Sequence, residues 1–211
     1  MPTQDWGPVM HVRTTYVTGD PGKIDQALDG LLVEAVKLLS EEPGYRGYGL
    51  FADRELGKIT MGSWWDSVEA AHSSNEQVQQ RRAELLAPFA SSLSVMTLEA
   101  LAYTPNPQVE AGGGFRLARF QIPPDRLDQM AELFRTAALP GFETTPGFAG
   151  AALLADRRTG IGSVGTLWTT RDALAASRSA QSAARARATS DVPMNVIALE
   201  EFEVLLVDRR E

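Results

Sequence analysis

Apolar residues recur along this chain with two periods, and their alternation lays out one succession of elements twice. Residues 11–18 (HVRTTYVT) are β-branched and aromatic, which predicts a strand. Asp20-Pro21 supplies a helix N-cap followed by proline at the first helical position. Ile24, Ala27, Leu28, Leu31, Leu32, Ala35, Val36, Leu38 and Leu39 then fall at helical spacing, predicting a long amphipathic helix that stops before Pro43-Gly44. Residues 45–52 and 58–65 read as two strands of a hairpin turned at residues 53–57. Ser67 caps a second helix running to about Leu86, and residues 94–103 (SVMTLEALAY) form the last strand. The order is β-α-β-β-α-β, the ferredoxin-like arrangement.

The same order returns 103 residues later. Residues 43–67 and 146–170 align without a gap and are identical at 10 of 25 positions, against about two expected from ordinary composition. Among the identical pairs are Asp53/Asp156, Arg54/Arg157, Gly57/Gly160 and Trp65/Trp168. Arg13/Arg116, Asp25/Asp128 and Gln26/Gln129 match at the same offset, which falls to 101 only at Val95/Val196. The chain is an internal duplication. It divides into a tail (1–8), a first repeat (9–103), a linker (104–114, TPNPQVEAGGG) and a second repeat (115–208). The second copy is predicted to run strand 115–121, helix from about 124 to 138, hairpin strands 148–155 and 162–168, a helix starting near Thr170, and strand 196–207. A ferredoxin-like sheet carries helices on one face and leaves the other open and apolar. Duplication therefore predicts an α+β fold of two tandem ferredoxin-like repeats packed sheet to sheet, a dimeric α/β barrel made within one chain as a pseudo-dimer.

Composition narrows the partners. A net charge of −7 disfavours nucleic acid, because phosphate binding needs a cationic surface, and Arg54, Arg81, Arg82, Arg185 and Arg187 form no basic stripe. With no cysteine, disulfides, thiolate metal sites and cysteine nucleophiles fall away together. No stretch approaches 18 apolar residues and no signal pattern opens the chain, so the expectation is a cytoplasmic protein without a membrane span. Neither a G-x-S-x-G motif, a P-loop nor a His/Asp/Glu cluster at metal spacing is present. The Asp53-Arg54-Glu55 run and its repeat read as turn chemistry plus solvated charge.

PGYRGYGLF followed by GSWWDSVEA, on this frame and in both copies, resembles the antibiotic-biosynthesis-monooxygenase family of dimeric α/β barrels. The family's strand-end tryptophan before a helix start is matched by Trp65 and Trp168. The resemblance implies a fused version of a fold that serves cofactor-free oxygenases of polycyclic phenols, haem-degrading enzymes, quinol-linked proteins and members without assigned activity. A haem-degrading relative would carry an axial histidine late in the second helix. The corresponding stretch here, QVQQRRAELLAPF, has none, and the second copy has no histidine, so no cofactor is expected.

Candidate chemistry concentrates where the copies differ. Arg46, Tyr48, Trp64 and His72 stand opposite Ala149, Ala151, Leu167 and Ala175, so polar and aromatic groups favour a pocket in the first copy. Arg46 and Tyr48, two apart on a strand, are expected on one sheet face, with Gly47 and Gly49 behind them admitting another element. His72 is the candidate base for a phenol, with Arg46 and Tyr48 as the other catalytic candidates. Trp64, Trp65 and Tyr16 are the candidate substrate-binding residues. Each has a plain alternative: surface placement for Arg46 and His72, half-burial for Tyr48, and an aromatic core anchor for Trp65 and Trp168.

Two functions fit. One is a cofactor-independent monooxygenase acting on a small aromatic or polycyclic phenol or a quinone-like molecule. The other is a non-catalytic ligand-binding or stress-associated protein, with haem handling a weaker third. The alanine-rich second helix of the second copy also offers a packing surface for a further homodimer.

Overall fold

A computed structural model describes residues 9–210; the tail assigned to residues 1–8 lies outside the described residues. The elements are β1 (Met10–Gly19), α1 (Ile24–Ser40), β2 (Tyr45–Asp53), β3 (Lys58–Trp65), α2 (Val68–Leu86) and β4 (Ala90–Tyr103), then β5 (Gly114–Gln121), α3 (Leu127–Leu133), α4 (Leu139–Glu143), β6 (Phe148–Ala155), β7 (Ile161–Trp168), α5 (Arg171–Ala176), α6 (Arg178–Asp191) and β8 (Asn195–Arg209). The fold is mixed α/β, ferredoxin-like and tandem, as the duplication predicts.

Two compact units divide the described chain, and they cut across the two longest strands. The first takes residues 10–98 and 110–113 with the end of β8 from residue 201; the second takes residues 99–109 and 114–200. In the first the strand order is β4-β1-β3-β2-β8, and in the second β8-β5-β7-β6-β4. β4 and β8 thus each serve one sheet with their first half and the other with their second. Both outrun their predicted spans, 94–103 and 196–207. Residues 91–94 are exposed and three of the four are serine, so no apolar alternation marks the start of β4.

Within the first unit, β1 and β2 flank β3 antiparallel, pairing Arg13 with Ser63 and Tyr48 with Ser63. Val17, Ile24, Leu28, Leu31, Leu50, Ile59, Trp65 and Leu86 build the core between this sheet and α1 and α2. The second unit repeats the plan with Phe120, Leu127, Met130, Phe134, Phe142, Leu153 and Val192. Both hairpins turn on a glycine in the left-handed region, Gly57 (φ +60°) and Gly160 (φ +69°). A Cβ at either would also lie within 2.4 Å of a backbone oxygen, so the pair is retained for two reasons.

The helices of the second repeat are broken where those of the first are continuous. Predicted to end near residue 138, the first of them passes through a π-helical turn at Phe134–Ala138 and continues as α4 to Glu143. Pro140 has no amide hydrogen to give the preceding turn, and the wider winding accommodates it. The second helix of this repeat bends at Ser177, between α5 and α6.

Candidate functional site

Each repeat buries one arginine under its helices. Arg13 on β1 is 3% exposed and donates from Nη1 to the Ala71 carbonyl (2.8 Å) and Ser74 Oγ (3.2 Å) on α2. Arg116 on β5 is 2% exposed and donates to the Leu174 carbonyl (2.8 Å) and Ser177 Oγ (2.9 Å). All three positions of the first set recur at the offset of 103, the arginine and the serine as identical residues and Ala71 as Leu174, whose carbonyl serves in its place. Sequence reasoning registered the Arg13/Arg116 identity without giving it a role. The available signal was an arginine repeated at one place in the first strand of both copies.

A cavity opens beside each of these arginines. The first repeat holds one of about 50 Å³ lined by Arg13, Thr15, Leu31, Tyr48, Val78 and Arg82, among others. The second holds one of about 170 Å³, to which Arg116, Ala118, Phe134, Gln181 and Arg185 contribute. Nine of the twelve residues lining the smaller cavity have their counterpart, 103 residues on, lining the larger. They are the same place in two copies of one fold. Its size is set by substitutions between the copies: Tyr48 becomes Ala151, Leu85 becomes Ala188 and Leu38 becomes Gly141. The side chains whose loss from the second copy pointed to a pocket in the first are, in the case of Tyr48, what fills it.

The larger cavity is apolar with a cationic edge. Ala118, Phe120, Met130, Phe134, Phe142 and Val164 form its walls, and Arg116, Arg119, Arg185, Arg187 and Asp191 are its charged residues. Arg119 pairs with Glu200 at 3.0 Å. Burial, and then the field of Arg116, push the Arg185 guanidinium below its ordinary value. Gln181 is buried and donates from Nε2 to Thr166 Oγ1 (2.9 Å), which also accepts from Trp168 Nε1 (3.1 Å). Such a space suits a small flat molecule carrying negative charge at one end.

The structure does not bring the predicted site residues together. His72 is exposed on α2, and neither it nor His11 lines either cavity. Arg46 and Tyr48 do not share a face as alternation predicted, because a β-bulge between Tyr45 and Gly47 inserts Arg46 as the extra residue. Arg46 Nη2 reaches Asp66 Oδ2 at 3.2 Å, half exposed, while Tyr48 is buried among core residues. At Gly47 close approach holds as expected: a Cβ there would lie 2.5 Å from the Asp208 carbonyl. Trp65 is fully buried, donates from Nε1 to Ser63 Oγ (2.9 Å) and meets Tyr45 edge-on with centroids 5.8 Å apart. Trp168 repeats this with Phe148 at 5.6 Å, so the two tryptophans anchor their cores and line neither cavity. Trp64 and Tyr16 project from the alternate face of their strands, with the Arg209 guanidinium 4.5 Å over the Trp64 ring. The Arg54 and Arg157 turns are more than solvated charge. Arg54 pairs with Asp25 (2.8 Å) and Glu203 (2.6 Å), and Arg157 with Asp128 and Glu99 (both 2.8 Å).

Among the described residues, no group of three or more histidine, aspartate or glutamate side chains is placed to hold a metal ion. No helix among them is long and apolar enough to cross a membrane.

Comparison with known proteins agrees with this fold. Residues 10–84 match the family described as antibiotic biosynthesis monooxygenase. An uncharacterized protein of Mycobacterium tuberculosis is 28% identical over 212 aligned positions, covering 100% of this chain and 89% of that one. Among solved structures, a candidate monooxygenase from Fusobacterium nucleatum superposes with a TM-score of 0.70 at 13% identity, covering 96% of this chain and 95% of that one. An anthrone oxidase-like protein gives 0.68 at 15% identity, covering 97% and 95%.

Proposed function

We propose, from the antibiotic-biosynthesis-monooxygenase-like fold that this chain carries as two fused repeats, that the second repeat binds a small aromatic phenol in its cavity and oxygenates it. One observation carries the proposal: a cavity of about 170 Å³ whose walls are apolar and whose charged rim is mostly arginine. An apolar cavity of ~150 Å³ accepts one benzene-sized ring, so this one takes a single substituted ring or, at its limit, two fused rings. Arg116 and Arg185 favour the phenolate over the phenol, because nearby cations stabilise the charged form. The phenolate is the electron-rich form that dioxygen attacks. In overall balance, the phenol and one dioxygen give a quinone and one water, with the phenolic O–H proton and one ring C–H hydrogen ending in the water. The protein supplies orientation, exclusion of bulk water and a fixed cationic field over the developing anion.

A second reading, binding without turnover, is favoured by a specific observation. Among the described residues Asp191 is the only carboxylate lining this cavity, and both histidines lie in the first repeat. Oxygen uptake separates the two readings. Purified protein is given a panel of phenols and naphthols while dissolved oxygen is followed and quinone is read by absorbance. Uptake that saturates with phenol supports the oxygenase. Saturable binding without uptake assigns the binding protein.

A further inference from the structure

The smaller cavity, in the first repeat, presents a different problem from the larger one. Tyr48 is 4% exposed, and its hydroxyl is buried with no hydrogen-bond partner among the described residues. A buried hydroxyl left unpaired is destabilising, so the position needs an acceptor or donor to face it. Arg13 and Arg82 line the same space. The hydrogen bonds of Arg13 go to a carbonyl and a hydroxyl, and Arg82 Nη2 donates to Asn75 Oδ1 at 3.0 Å. Every one of these acceptors is neutral. Two guanidinium groups, one buried and one half-buried, therefore face a cavity without a carboxylate in contact. Glu42 is the acid whose field reaches Arg13, and it forms no ion pair with it. Burial and then the Arg82 charge push the Arg13 guanidinium down to about 10. Ordered water would answer the Tyr48 hydroxyl but bring no negative charge to the two guanidinium groups, of which Arg13 also lies over the Trp65 ring, 5.1 Å from its centroid.

We infer that the first repeat binds a small monovalent inorganic anion of chloride size, held in its cavity of about 50 Å³ by the Tyr48 hydroxyl and the Arg13 and Arg82 guanidinium groups. The size of the space selects the class, since it is several times the ~10–15 Å³ that admits one water and far below what a ring needs. The charge and the donors select the sign: three donor-bearing side chains line the space, and among the described residues its lining includes no acidic one. The equivalent cavity of the second repeat keeps Arg116 and Arg185 but has Ala151 in place of Tyr48. The same cationic pair thus serves an inorganic ion in one copy and has room for an organic anion in the other. This inference stands on residues of the first repeat alone and does not depend on the phenol reading.

The test compares thermal unfolding of the whole chain in sodium chloride and in sodium gluconate at equal ionic strength, gluconate being too large to enter. A ligand bound only by the folded state raises the midpoint, which above its Kd goes on rising with the logarithm of the ligand concentration. The wild type is expected to melt a few degrees higher in chloride. In Tyr48→Phe that difference should vanish, while in gluconate the variant should be at least as stable as wild type, because an unpaired hydroxyl has been removed. Equal midpoints for the wild type in both salts, or a chloride shift that survives in Tyr48→Phe, would overturn the inference. An independent reading needs no variant: excess chloride NMR linewidth in the wild type, displaced by bromide. Its absence would likewise overturn the inference.

Discussion

Arg116 donates to the Leu174 carbonyl at 2.8 Å, and 103 residues earlier Arg13 does the same to Ala71 at the same distance. In each copy a buried guanidinium ties the first strand to the first turns of the second helix, and in each copy it borders a cavity. Charge-assisted hydrogen bonds of this kind contribute about 1.5–3 kcal/mol. Arg116→Met, which keeps the volume and removes the donors, is expected to lower unfolding free energy by about that amount in urea titration. The loss should come with weaker phenol binding, because the same substitution removes a cation from the cavity.

Helix starts should respond in parallel. Ser67 Oγ accepts from Ala70 N and Thr170 Oγ1 accepts from Ala173 N, both at 3.0 Å. Ser67→Ala and Thr170→Ala are each expected to cost about 1 kcal/mol, the usual value of a lost N-cap, measured by denaturant unfolding.

Alkaline stability follows from two tyrosines. Burial pushes the phenols of Tyr45 and Tyr48 well above the ordinary value of 10, and Asp208, accepting from Tyr45 at 2.8 Å, adds to the first. The folded chain keeps these protons while the unfolded chain releases them. Stability is therefore full below pH 10 and falls as pH rises above it. Arg13 acts with the opposite sign, since its depressed value makes its charge a cost that is relieved above about pH 10. Burial holds Arg82 and Arg185 below their ordinary value as well, by smaller shifts than that of Arg13, so the two phenols leave a net loss. An absorbance titration should show Tyr45 and Tyr48 ionising only with unfolding.

Tyr48→Ala gives the first repeat the residue that the second already has. It should open the smaller cavity at a cost of about 3 kcal/mol, the lower end for removing a buried aromatic ring. Calorimetric titration with naphthol should then approach two sites per chain instead of one. A stoichiometry that stays at one would mean that Leu85 and Leu38 alone keep the cavity closed.

Much of the fold was legible from patterns. The 10 identical pairs of the aligned segments, the capping serine and threonine, and the alternation in the hairpin strands give the order of elements almost residue for residue. The exceptions have local causes. The π-helical turn before Pro140 lengthens a helix that spacing ended early, and the serines of residues 91–94 hide the start of β4. The site was less legible, because differences between the copies show where side chains changed and not whether the change filled or emptied space. Tyr48 occupies space that its counterpart Ala151 leaves open, and the alanines that replace it and Leu85 make room in the second copy. Arg46 was placed on the wrong face by a bulge that alternation does not reveal.

The central claim is that a small phenolic anion binds in the cavity of the second repeat. The most direct test is calorimetric titration of naphthol into the wild type and into Ala188→Leu, which copies the first repeat's own Leu85 and fills the space. The account expects saturable one-site binding to the wild type that weakens at least tenfold in the variant, with unfolding midpoints that stay close. Undiminished affinity in Ala188→Leu would place the ligand elsewhere and contradict the account.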